Sequence, residues 1–220
     1  MYDASAQAGW QSDARPLATA SRVFAPYQPL SPGADRSRPG QRARRASILA
    51  ATRRLLGEGG CEAITMRDIA SVSGLALQTV YNLVGPRHLT ITAAISEYSL
   101  YVGRTATQTE PVPSLSHLIG TWIEAAQACP EFARQTHLIF FTPSRGIYYE
   151  FRDIQIRAIT AFLRRQRVAG QVVTRIPPCQ LAEQLVFHAT AQWIDWADRP
   201  FPLAVLHQKL LQGLPKLLRD

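Results

Sequence analysis

Five polar side chains crowd one short stretch of this chain: Gln78, Thr79, Tyr81 and Asn82, with Arg87 just beyond. Gln and Asn amides can bond adenine bidentately, and Thr, Tyr and Arg can bond phosphate oxygens. The chemistry on offer is therefore recognition of a nucleic acid, not bond-breaking. Thr65 and Arg67, slightly upstream, extend the same set. Arg67 reads equally as a solvated charge, and Leu77 either meets a thymine methyl or flanks the groove.

These residues need a frame. The segment Thr65–Leu89 reads as two short helices pinned around Gly74. Thr65 can cap the first of them, with Asp68 three residues on completing a capping-box variant. Ile69, Ala70, Leu75 and Val80 can hold the pair together, and Gly85-Pro86 ends the second helix. A B-DNA major groove admits one helix while its predecessor crosses the backbone, which is the geometry of a helix-turn-helix. A preceding helix is predicted from about Gln41 to Gly59-Gly60, with Ile48, Thr52, Leu55 and Leu56 at helical spacing.

The longer string Arg45-Ala-Ser-Ile-Leu-Ala-Ala, Leu55-Leu-Gly-Glu-Gly-Gly-Cys-Glu-Ala-Ile-Thr-Met-Arg-Asp-Ile-Ala, Gly74-Leu and Thr79-Val-Tyr-Asn-Leu-Val-Gly-Pro-Arg87 resembles the N-terminal domain of the tetracycline-repressor (TetR) family of bacterial transcriptional regulators. The resemblance covers about residues 42–102. It implies that Thr65 and Arg67 approach the DNA backbone, that Leu77, Gln78, Thr79, Tyr81 and Asn82 face the groove, and that Tyr81 and Arg87 grip phosphate. Three departures stand out. Ala76 replaces the usual capping Ser, Val84 replaces a Phe, and Arg87 replaces a Lys with the following leucine one place early.

The chain has 220 residues and a formal net charge of +8, which favours an anionic partner. Arg36, Arg38, Arg42, Arg44 and Arg45 lie in a run without acids, expected to act as a basic arm with Arg44 and Arg45 on DNA. Residues 1–40 recur in Pro, Ser, Gly and Ala and are expected to form a disordered extension. Cys61, Cys129 and Cys179 are far apart, which fits a reducing cytoplasm and no disulfide framework. Neither cysteines nor histidines have metal-ligand spacing, and no cofactor motif is present, so metal and cofactor are expected to be absent. No apolar run is long enough to span a membrane.

The remaining chain reads as helices: about 88–102, 114–129, 131–141, 147–168, 178–197 and 201–218, with 171–176 a loop. The fold class expected is all-α, with a three-helix reading head at 41–88 and a helical bundle at 89–220 for ligand binding and dimerisation, residues 89–103 connecting them. Trp122, His137, Phe140, Phe141, Tyr149 and Gln192 are candidates to line a ligand pocket. The last two helices carry apolar stripes suited to a homodimer interface, as the resemblance also implies. The function expected is a homodimeric, cytoplasmic, DNA-binding regulator, a repressor released from a palindromic operator by a small-molecule effector. The alternatives are a DNA-binding regulator without a sensor and a small helical enzyme. No Gly-rich phosphate loop or Ser-His-Asp order supports the enzyme.

Overall fold

The computed structural model describes residues 39–109 and 113–218. The proposed extension up to residue 38, with Arg36 and Arg38, and residues 110–112 lie outside the described residues. Nine α-helices follow one another among the described residues, with no strand. They are α1 Pro39–Gly59, α2 Met66–Ser73, α3 Leu77–Val84, α4 Arg87–Thr109, α5 Leu115–Ala128, α6 Pro130–Leu138, α7 Arg145–Val168, α8 Pro178–Asp198 and α9 Leu203–Leu218. A single 3-10 turn, Ile139–Phe141, extends α6.

Helix α1 starts two residues earlier than expected, at Pro39, whose fixed φ suits a first helical turn. Arg42, Arg44 and Arg45 are consequently helical residues and not part of a flexible arm. Gly60, at φ 73, ends the helix in the left-handed region.

The capping box at α2 is complete. The Asp68 N–H donates to Thr65 Oγ1 at 3.2 Å, and the Thr65 N–H donates to Asp68 Oδ2 at 3.0 Å. The Thr65 hydroxyl, which donates to Asp68 Oδ2 at 2.6 Å, and the Thr65 N–H hold the Asp68 carboxyl below its ordinary pKa, the hydroxyl contributing most. Thr65→Ala removes one cap bond and is expected to lower stability by about 1 kcal/mol, a loss that urea unfolding can read. Gly74, at φ 68, closes α2 and permits the sharp turn into α3. Ala76 makes no side-chain cap at α3, as its missing hydroxyl requires.

One apolar core runs through the first three helices and into those that follow. Ile48, Leu56, Ile69 and Val80 of the first three helices are contiguous with Ile91, Ile95 and Tyr98 of α4 and with Phe132, Ile139, Ile147 and Tyr148 beyond. Helix α1 packs against α6 as well as against α2, α3 and α4. The first helices are thus seated on the rest by close packing, with Gly57 letting Phe132 approach to 3.4 Å from where its Cβ would stand. In the bundle, α7 packs on α8 and α4, and α9 on α8 and α5. Leu163, Leu181, Trp196, Leu206 and Leu210 are buried there. Gly213 of α9 lies against the His188 ring, where a Cβ would fall 2.2 Å from Nε2.

Candidate DNA-reading surface and cavity

Helix α3 has two faces. Val80 is fully buried and ties the helix to the core, while Leu77, Gln78, Tyr81 and Asn82 are exposed. The spacing does this: 77, 78, 81 and 82 fall on one side of a 3.6-residue repeat. Leu77 and Tyr81 are 37% and 41% exposed, unusual for large apolar bodies without a partner. Gln78 Nε2 donates to Asn82 Oδ1 at 3.0 Å, so the two amides are aligned one turn apart on the outer surface. Thr79 is half-buried, and Arg67 on α2 is exposed beside them. Thr65 is exposed, with its hydroxyl serving the cap.

The basic residues divide. Arg44 is exposed on α1, whereas Arg45 meets Glu97 of α4 at 2.5 Å. Arg87 has an occupation the sequence did not indicate. Its Nε donates to the Ile64 carbonyl at 2.7 Å, and Nη2 donates to the Cys61 carbonyl. Its Nη1 reaches the Ser144 hydroxyl at 3.4 Å. The Ser144 N–H in turn donates to Glu62 Oε1 at 3.3 Å. Contacts from Ser144, foremost through its side chain, hold the Glu62 carboxyl below its ordinary pKa. The loop 61–64, which leads into α2, is therefore clasped between the start of α4 and the turn ahead of α7.

Behind α1–α3, the helices α4, α5, α6, α7, α8 and α9 line a partly open cavity of about 170 Å³. Its wall is mostly apolar and aromatic, with Tyr98, Trp122, Phe132, Phe151 and Trp193 prominent. Of the six pocket candidates, Trp122 and His137 line it, and Phe140, Phe141, Tyr149 and Gln192 do not. Phe141 and Tyr149 are instead 56% and 39% exposed, and Phe140 joins a ring cluster with Tyr148. Sequence reasoning missed Ser99, Gln155 and His188, polar lining residues whose helical context offers no local mark.

His137 stacks on Trp193, with centroids 4.9 Å apart and planes at 9°. Its Nδ1 donates to the Ala133 carbonyl at 2.8 Å, since a carbonyl only accepts. Burial pushes its pKa down to about 4, only partly offset by that bond. An unfolded histidine titrates near 6.5. Between these values the unfolded chain binds a proton and the folded chain does not, so stability falls as pH drops through this window. A loss of about 3 kcal/mol between pH 7 and pH 4 is expected from this group, read by denaturant unfolding at stepped pH. His137→Phe should flatten the slope.

Among the described residues no group of His, Cys, Asp and Glu could hold a metal ion. No helix among them is long and apolar enough to cross a membrane.

Residues 48–82 match the sequence model described as bacterial regulatory proteins, tetR family. No protein of curated function matches the chain. Solved structures share its fold. The TetR-family repressor FadR of Thermus thermophilus, in complex with lauroyl-CoA, has 18% identity and a TM-score of 0.61, covering 79% of this chain and 93% of its own. The fatty acid degradation regulator FadR of Bacillus halodurans has 15% identity and a TM-score of 0.59, covering 82% of this chain and 98% of its own. The repressor QsdR of R. erythropolis has 16% identity and a TM-score of 0.57, covering 80% and 96%. The match spans α2 and most of α3, the helices that display the exposed amides, and the fold around them is all-helical throughout its described length. Residues 48–82 are therefore similar to the segment that the tetR family model describes, and the chain shares the all-α fold of solved TetR-family regulators.

Proposed function

We propose that the protein is a homodimeric, cytoplasmic repressor that holds a near-palindromic operator through α3 and lets go when a small molecule fills the cavity. The observation that carries the DNA-binding part is the division of α3: Val80 anchors it, and Leu77, Gln78, Tyr81 and Asn82 stand outward. On this reading residues 41–88 form the reading head, and 89–220 form the sensing and dimerisation part. Arg67, Thr79 and Arg44 lie where they can add phosphate contacts, with Thr65 at the start of α2.

A ligand acts only through its differential affinity for two arrangements of the helices. The cavity supports the sensor over a regulator without one. His137 and Tyr148 of its wall bracket the turn that carries Thr142 and Ser144. Ser144 in turn holds Glu62 and Arg87 at the base of α2. A shift of α6 against α7 is thus passed to the loop 61–64 as well as along α4. The ligand-bound Thermus thermophilus FadR supports the reading that this fold accommodates a ligand.

The dimer reading rests on α8 and α9, which suit a symmetric four-helix interface. Sedimentation at micromolar concentration tests it: a dimer is expected, and a monomer would refute it. DNA binding is tested by fluorescence anisotropy on the DNA upstream of the protein's own gene. Log K is expected to fall with log salt at a slope of about −5 or steeper, as several neutralised phosphates require. A slope near zero would overturn the proposal.

A further inference from the structure

The cavity also says what chemistry would fill it. This step rests on the proposed sensing role and names its ligand class. Size comes first. A cavity of about 150 Å³ holds one benzene ring, so one of about 170 Å³ holds a single ring with small substituents.

Charge comes second. The described lining residues include no Asp, Glu or Lys. Arg152 is the cation among them, and its guanidinium already meets Asp153 at 3.2 Å and the rings of Tyr149 and Phe187 at 5.2 and 5.1 Å. His137 is neutral at pH 7, and burial pushes the phenols of Tyr98 and Tyr148 above their ordinary range. A ligand carrying a net charge would enter without a free counter-charge, at a cost of several kcal/mol.

Polar complementarity comes third. Ser99 Oγ on α4, Gln155 Nε2 on α7 and His188 Nε2 on α8 are buried, belong to residues that line the cavity and have no hydrogen-bond partner among the described residues, the His188 ring also lying against Gly213. Ser99 is 2% exposed. Buried donors are paired as a rule, and an unpaired one marks an absent partner. An amide N–H can only donate, so Gln155 requires an acceptor. The aromatic wall favours a flat ring, which gains edge and offset contacts that an aliphatic body does not.

We infer that the cavity binds an uncharged, single-ring aromatic compound whose oxygen acceptor is held by Gln155 and Ser99.

The test is calorimetric titration of the full chain, without DNA, with five probes at pH 7. Acetophenone is neutral with an acceptor, ethylbenzene has the same size without one, benzoate is an anion, benzylamine is a cation and dodecanoate is a long acyl chain. Acetophenone is expected to bind at least tenfold more tightly than each of the others. Gln155→Leu should weaken acetophenone about tenfold and leave ethylbenzene unchanged, and Ser99→Ala serves as a second variant. Benzoate, benzylamine or dodecanoate binding as tightly as acetophenone would overturn the assignment. So would no acetophenone binding at millimolar concentration, or a Gln155→Leu variant that keeps full affinity for it. Because DNA is absent, such a failure refutes the ligand class alone. Loss of the sensing reading would show separately, as DNA affinity that no cavity occupant alters.

Discussion

Arg87→Ala is expected to destabilise the protein by about 3 kcal/mol, because two charge-assisted bonds to backbone carbonyls are lost. The carbonyls of Cys61 and Ile64 then keep no donor from α4. Arg87→Lys should recover less than half, since an ammonium cannot reach both carbonyls as a planar fork does. The alternative role separates cleanly. A side chain that touched only phosphate would leave stability within about 0.5 kcal/mol when removed and would reduce the salt slope by about one. Urea unfolding of the two variants, run beside salt-dependent DNA binding, decides between the two. The structure predicts a large stability change, with reduced DNA affinity as a consequence of a displaced α2 and not of a missing contact.

The opposite pattern is expected at Tyr81. Its side chain stands on the outer face of α3, clear of Val80 and the core. Tyr81→Ala should therefore change stability by less than about 0.5 kcal/mol. DNA affinity should fall about thirtyfold to a hundredfold, because a symmetric dimer loses the contact twice, at about 1 to 1.4 kcal/mol each. Tyr81→Phe isolates the hydroxyl: a phosphate bond predicts most of the loss in the Phe variant, and ring packing predicts little. Anisotropy on one DNA fragment reads all three proteins. Equal affinity for the wild type and the Ala variant would remove Tyr81 from the contact surface.

The two residues show where local sequence chemistry suffices and where it stops. Gly60, Thr65 with Asp68, and Gly74 each act within one turn of themselves, so their types and spacing foretold the caps and turns that form. The outer face of α3 was an expectation of the family resemblance; helical periodicity agrees with it for Leu77, Gln78, Tyr81 and Asn82 opposite Val80, whereas Thr79 is half-buried. Arg87 was not. Its partners lie in the loop at Cys61 and Ile64 and at the remote Ser144, and no pattern near Arg87 announces them. The cavity was half legible. Trp122 and His137 could be picked out as large or titratable residues amid apolar ones, but Ser99 and Gln155 come to line one cavity only when the helices pack. Phe141 and Tyr149, equally aromatic, stand on the outside, the first in the 3-10 turn after α6 and the second on α7.

The reading of α3 as the DNA-contacting helix is tested most directly by selection from random duplex DNA with the full-length protein. The account predicts an enriched near-palindrome, its half-sites about one helical turn (~34 Å) apart. It also predicts that a Gln78→Ala, Asn82→Ala double variant loses that enrichment while unfolding at the same urea concentration. No enriched sequence, or the same sequence enriched by the double variant, would contradict it.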